Sequence, residues 1–201
     1  MLTPNDDPLI QKRTEAIRLV PDYTSAYYAC ESAYWRKGLY EQAIEDCTEL
    51  IRLDAACAPA YYCRGFTYDF IGRYYEAIED LTEAIRLAPD DAFAYNTRGD
   101  AYLKTGQYDQ VIKDFTEAIR LAPEIAYSYS ARGTVYRQLG KKELAIQDFE
   151  KALSIDPDDK LAKSEMEKLQ GVILGNINKE ALIKKTSRGG AEGAEEEKWM
   201  N

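Results

Sequence analysis

Between Ala92 and Thr105, the residues Tyr95, Arg98, Gly99 and Tyr102 recur at i, i+3, i+4 and i+7, the spacing of one helix face. Gly106 then interrupts the pattern with a residue that tolerates positive φ, as helix ends require. A second helical pattern follows from Asp109 to Leu121, with Val111, Phe115, Ala118 and Leu121 on one face, and Pro123 closes it. Gly99 and Ala118 are small where two antiparallel helices must come close. The segment predicts a helical hairpin with a short connection.

The same pattern returns every 34 residues: Tyr27, Tyr61, Tyr95 and Tyr129, then Tyr34, Tyr68, Tyr102 and Tyr136. Gly38, Gly72, Gly106 and Gly140 keep the same step, as do Asp46, Asp80, Asp114 and Asp148, and Ile44, Ile78, Ile112 and Ile146. Five columns at one period define an internal repeat, with units at 24–57, 58–91, 92–125 and 126–159. One such unit cannot bury its apolar face alone, whereas stacked units share a continuous core. Upstream, RTEAIRLVP (13–21) matches the second half of a unit and predicts a half-repeat helix within 1–23. Downstream, 160–170 predicts a capping helix with Leu161, Ala162, Met166 and Leu169 inward and Lys160, Lys163, Glu167 and Lys168 toward water. Over 171–201 the helical signal fades, and TSRGGAEGAEEEKWMN has no pattern that could bury a core, so a weakly structured or disordered tail is expected.

The stretch AYNTRGDAYLKTGQYDQVIKDFTEAIRLAP (94–123) resembles a tetratricopeptide repeat, with small and aromatic residues in that family's slots. The resemblance covers about two thirds of the chain. Units two to four follow it closely. Unit one departs from it, with Glu31 for the helix-packing glycine, Leu50 for a small residue and Ala55 for the closing proline. The resemblance implies an all-α fold: a right-handed superhelical solenoid of stacked antiparallel helix pairs. It also implies that the first helix of each unit lines a concave, ligand-binding surface.

Each first helix carries a second stripe beside its core stripe. In unit one it holds Ser25, Tyr28, Ser32 and Trp35, flanked by Arg36; in unit two, Pro59, Tyr62, Phe66 and Asp69, flanked by Phe70. Unit three contributes Phe93, Asn96, Asp100, Leu103 and Lys104, and unit four Tyr127, Ser130, Thr134, Arg137 and Gln138. Aromatic stripes at helical spacing are usually core. Here, however, Tyr61, Arg64, Gly65 and Tyr68 already fill the core stripe of the same helix, which favours an exposed groove. The expected peptide-binding residues are Tyr28, Trp35, Tyr62, Phe66, Phe70, Phe93, Asn96, Asp100 and Tyr127. Their expected ligand is a peptide segment of another protein, extended or helical, with apolar anchors. Some tetratricopeptide proteins grip the terminal carboxylate of chaperones with Lys, Asn and Arg. The slots that resemble theirs, Tyr28, Ser32, Cys63, Phe93 and Thr97, offer no cation, so such a clamp is not expected. The other stripe charges, Arg36, Asp69, Asp100, Lys104 and Arg137, are mixed and leave the sign of the ligand open.

Arg64, Arg98 and Arg132 form a further column on the core side of the first helices. Unit one has Cys30 in place of the arginine, and the preceding half-repeat has Lys12 in place of the aspartate. Both losses fall at one junction. The expectation is therefore a buried pair across each junction: Asp46 with Arg64, Asp80 with Arg98, and Asp114 with Arg132.

Composition narrows the function. A net charge of −9 with no Lys/Arg block argues against nucleic acid, which needs a basic face to neutralise phosphates. No apolar run approaches the roughly 20 residues of a bilayer span. The first residues lack the basic-then-apolar pattern of a signal peptide, so a cytoplasmic protein with no membrane association is expected. Histidine is absent, which removes the commonest general base and metal ligand, and Cys30, Cys47, Cys57 and Cys63 form no C-x-x-C pair. Carboxylates such as Glu83 and Glu117 recur in equivalent solvent-facing slots, without the asymmetry that splits acid from base. No catalytic activity, cofactor or metal is expected. The alternative to a binding scaffold is self-assembly, in which the N-terminal half-repeat of one copy is completed by another. The charged tail (Lys184, Lys185, Arg188, then Glu192, Glu195, Glu196 and Glu197) reads as a solvated end.

Overall fold

The computed structural model describes residues 38–169 and 171. They form α1 (Tyr40–Leu53), α2 (Ala58–Phe70), α3 (Tyr74–Leu87), α4 (Ala92–Lys104), α5 (Tyr108–Leu121), α6 (Ala126–Gln138) and α7 (Lys142–Ile155). An eighth helix, α8, runs over 160–169, and no strand occurs among the described residues. The pairs α2–α3, α4–α5 and α6–α7 are hairpins; they stack through α1 on α2, α3 on α4 and α5 on α6, with α2 also reaching α4. The architecture is a right-handed superhelical solenoid of antiparallel helix pairs. The half-repeat expected within 1–23 and the tail of 172–201 lie outside the described residues.

The turn inside each hairpin is dictated by its glycine. Gly106 has φ 75°, a conformation that side chains with a Cβ rarely adopt. Its N–H donates to Leu103 O (3.2 Å) and the next N–H, of Gln107, to Tyr102 O (2.9 Å). That double closure satisfies two carbonyls at the end of α4 and reverses the chain. Arg73 and Lys141 make the same bond at their turns, to Tyr68 O and Tyr136 O (both 2.8 Å). The tyrosine column thus marks the last turn of α2, α4 and α6, and Arg73 also lies over the Tyr68 ring at 4.5 Å.

A second glycine column sets how closely the helices meet. A Cβ on Gly133 would lie 2.8 Å from Phe149 Cε1, and one on Gly65 would lie 2.9 Å from Leu81 Cγ. Leu81, Phe115 and Phe149, one residue of each second helix at the 34-residue step, are completely buried against these glycines. In unit one the glycine is replaced by Glu31 and the bulky partner by the smaller Cys47, which is itself buried. Ala84, Ala118 and Ala152 of the second helices are also fully buried.

The arginine–aspartate pairs exist, but not in the expected register. Arg64 binds Asp80 through Nε–Oδ2 (2.7 Å) and Nη2–Oδ1 (2.8 Å). Arg98 holds Asp114 the same way (both 2.8 Å), and Arg132 holds Asp148 (2.9 and 2.7 Å). Each pair lies within one hairpin, which corrects the expected pairing of Asp46 with Arg64, Asp80 with Arg98 and Asp114 with Arg132. The reason is the neighbouring glycine: a Cβ on Gly65 would lie 3.1 Å from Asp80 Cβ, so this close approach delivers Arg64 to its own hairpin's carboxylate. The arginines still cross the junction, through Nη1. That atom donates to Thr48, Thr82 and Thr116 Oγ1 of the preceding unit at 2.9, 3.1 and 2.9 Å. Those hydroxyls in turn donate to Ile44, Ile78 and Ile112 O in their own helices.

At the C-terminal end, Ala162 and Leu169 of α8 are buried and Met166 packs against the same cluster as Phe149. Leu161, expected inward, is instead exposed. The inward place goes to Glu165, which accepts hydrogen bonds from Arg137 of α6 and Lys168 of α8.

Candidate peptide-binding face

The first helices of the hairpins are covered on more than one side. Buried residues of α4 (Ala92, Ala94, Asn96, Thr97, Gly99 and Ala101) are spread around the helix, whereas α5 buries a narrow stripe of Val111, Asp114, Phe115 and Ala118. Such helices touch their own hairpin partner and the second helix of the preceding unit, and α2 also touches α4. A filled core stripe therefore does not free the rest of the helix.

This decides the fate of the proposed stripe column by column. Tyr62, Asn96 and Ser130 occupy one column and are all buried, at 1%, 6% and 0% exposure. The Tyr62 ring stacks on Phe66 at 6.1 Å, and Asn96 Oδ1 accepts a hydrogen bond from Ser128 Oγ at 2.8 Å. The structure places Tyr62 and Asn96 in the interior, correcting their expected exposure. The next columns open outward. Phe93 and Tyr127, equivalent positions one unit apart, keep 41% and 44% exposure, and Phe70 keeps 52% with its ring 5.1 Å from Tyr40. Phe66 and Asp100, also equivalent, are half-buried. Tyr28 and Trp35 lie outside the described residues.

The polar groups of this face converge on two carboxylates. Tyr127 donates its hydroxyl to Asp100 Oδ1 at 2.5 Å, joining α6 to α4. Burial pushes the Asp100 carboxyl up to about 6; Asp69 on α2 adds to the rise, while the Tyr127 hydroxyl and Lys104 oppose it. Burial likewise pushes Asp69 up to about 6, again against the pull of Lys104. Tyr127 is raised too, first by burial of its hydroxyl and then by the Asp100 charge. Among the described residues, Asp69 Oδ1 is shut off from solvent without a hydrogen-bond partner. Asp69 lies in the stripe by spacing alone. Its coupling to Asp100 was not legible, because the two sit on different helices, 31 positions apart. No group of three or more Cys, Asp or Glu among the described residues is placed to hold a metal ion.

Stacked helical hairpins that keep a row of exposed aromatics on their first helices define a repeat-type interaction module. The tetratricopeptide repeat model matches residues 58–91, 92–125 and 126–159, and a second tetratricopeptide repeat model matches 32–57. The matches span more than half of the chain, which belongs to the tetratricopeptide repeat family. A search of curated proteins gives no match. Among solved structures the chain is similar to MamA, at 26% identity over 79% of this chain and 89% of that one, TM-score 0.61. It is similar to the TPR domain of Arabidopsis OM64, at 27% identity over 57% and 94%, TM-score 0.56. A third is the second TPR domain of human RPAP3, solved in complex with the HSP70 peptide SGPTIEEVD, at 36% identity over 53% and 89%, TM-score 0.51.

Proposed function

We propose that the chain is a non-enzymatic protein–protein interaction scaffold that holds a peptide segment of a partner protein, with apolar anchors, in a groove lined by α2, α4 and α6. The observation that carries this reading is the exposure of Phe93 and Tyr127 at equivalent positions of successive first helices, beside Phe70. Aromatics left on a surface whose interior is already filled are the residues that dominate binding hot spots. The complex of the RPAP3 domain with a peptide supports the mode of binding. It does not carry over the ligand. Two of the slots that resemble a carboxylate clamp, Cys63 and Thr97, are buried here, and Phe93 is aromatic. An acidic chaperone tail is therefore a poor match.

The test is a pull-down from lysate of the source organism with wild type beside Phe70→Ala/Phe93→Ala of verified helicity. Tyr62 is left unchanged because its removal would open the core. A partner kept by wild type and lost by the variant supports the groove. A partner held equally by both moves the site to the tail or to residues 1–37, and this reading fails. The rival, self-assembly through the half-repeat within 1–23, rests on residues outside the described set; static light scattering giving a mass above 22.9 kDa would favour it.

A further inference from the structure

We infer that the peptide segment held on this face carries a basic side chain, Lys or Arg, that enters between Asp69 and Asp100 with apolar residues to either side on Phe93 and Phe70. The inference rests on the reading of this face as a peptide groove and specifies the chemistry of its ligand. The sign follows from charge complementarity.

Among the described residues, which do not include Arg36, the cations of the stripe do not balance its carboxylates. Arg137 is already engaged by Glu165, a buried carboxylate that Lys168 also reaches. Lys104 is exposed, and its charge opposes the rise of both Asp69 and Asp100. Among the described residues, the one side chain that donates a hydrogen bond to the Asp100 carboxylate is Tyr127. Asp69 Oδ1, among the described residues, has none although it is enclosed. Enclosed carboxylate oxygens short of donors are costly in the free protein. A guanidinium or ammonium brings several donors and a positive charge to that place at once. Phe93 and Phe70, one on the same helix as Asp100 and one beside Asp69 on α2, supply apolar surface for flanking residues or for the alkyl stem of the base. An acidic segment would add like charge to a pair that already repels itself.

The experiment selects binders to the full chain from a random nonapeptide library displayed on phage. The strongest are synthesised in three forms, with the basic residue retained, changed to Gln, and changed to Glu. Titration by fluorescence anisotropy uses wild type, Asp69→Asn/Asp100→Asn and Phe93→Ala. The expected result is enrichment of Lys or Arg next to apolar residues, with affinity falling roughly ten-fold for the Gln peptide and further for Glu. The Asn double variant is expected to lose that discrimination while still binding the Gln peptide. Because the peptide series is read on unaltered protein, a variant that fails to fold leaves the test intact. Peptides that bind, lose affinity on Phe93→Ala and show no preference for a basic residue overturn this inference but keep the groove. No enrichment over a blank surface overturns both.

Discussion

The register of the arginine–aspartate pairs can be tested by a double-mutant cycle centred on Arg98. Its guanidinium makes two bonds of 2.8 Å to Asp114 and one of 3.1 Å to Thr82, with side-chain exposure of 15% against 6% for the aspartate. The Tyr95 and Tyr102 rings flank it at 5.7 Å each. Arg98→Ala leaves Asp114 buried without its counter-charge, a loss of about 3–5 kcal/mol by the usual behaviour of such pairs. Most of that penalty belongs to the stranded carboxylate, so Asp114→Ala in the same background should recover part of it. The expected coupling between Arg98 and Asp114 is about 1.5–3 kcal/mol, while Arg98 with Asp80 should be additive within about 0.5 kcal/mol. Urea denaturation followed by circular dichroism measures all six proteins, and Lys104→Ala, an exposed charge, sets the scale for an ordinary surface change. Coupling to Asp80 as large as that to Asp114, or Arg98→Ala no worse than Lys104→Ala, would refute the reasoning.

Two other predictions follow from the packing and the groove. Gly133→Ala should cost about 1–3 kcal/mol by overpacking, since its Cβ would lie 2.8 Å from Phe149 Cε1 and 3.1 Å from Asp148 Cβ. Gly99→Ala, with its nearest contact at 3.2 Å, should cost less in the same melt; equal losses would contradict the fit. The second concerns pH. Asp69 and Asp100, with Lys104 and Tyr127 facing them, titrate at about 6 when folded and lower when unfolded. Between those values the folded chain binds more protons than the unfolded one. Their contribution therefore destabilises fully above about pH 6 and is relieved as pH falls toward 4. Wild type should gain stability between pH 7 and pH 5 relative to Asp69→Asn/Asp100→Asn, by about 1 kcal/mol after solvent screening. Parallel pH profiles for the two proteins would remove the electrostatic account of the pair.

Much of the fold was legible because it repeats. The 34-residue columns of glycine and tyrosine mark the turns, and the structure gives each turn glycine a positive φ. What the period could not decide was which neighbour a residue meets. In an ideal stack, an arginine 16 residues before one aspartate is also 18 residues after another, and translation by one unit maps each choice onto itself. Only the broken first unit offered to discriminate. There Cys30 stands 16 residues before Asp46, at the sequence position where the later units carry the arginine of the same hairpin, so the concurrent loss at Lys12 carried no information about the junction. The site was less legible for a related reason. A single-helix wheel assumes one buried face, but a helix inside a stack is covered by its hairpin partner and by the preceding unit, which is what encloses Tyr62 and Asn96.

The distinction between stacking and recognition can be drawn from the columns themselves. Every hairpin of a solenoid solves the same packing problem, so the residues that solve it repeat: Gly65, Gly99 and Gly133, or Arg64, Arg98 and Arg132. A peptide ligand has no reason to share the period, so the positions that meet it are free to differ from unit to unit. Variation alone is insufficient, as the buried column of Tyr62, Asn96 and Ser130 shows, where local contacts replace one another inside the core. Variation together with exposure is the stronger criterion. Along the first helices it selects Phe93 with Tyr127, Phe70 with Lys104, and at the half-buried level Phe66 with Asp100 and Asp69 with Leu103. These positions hold the exposed Phe70, Phe93 and Tyr127 and both carboxylates with raised pKa values. Apolar and anionic chemistry thus coincide where the stack imposes least, and that coincidence is the physical ground for reading the face as one that selects its partner.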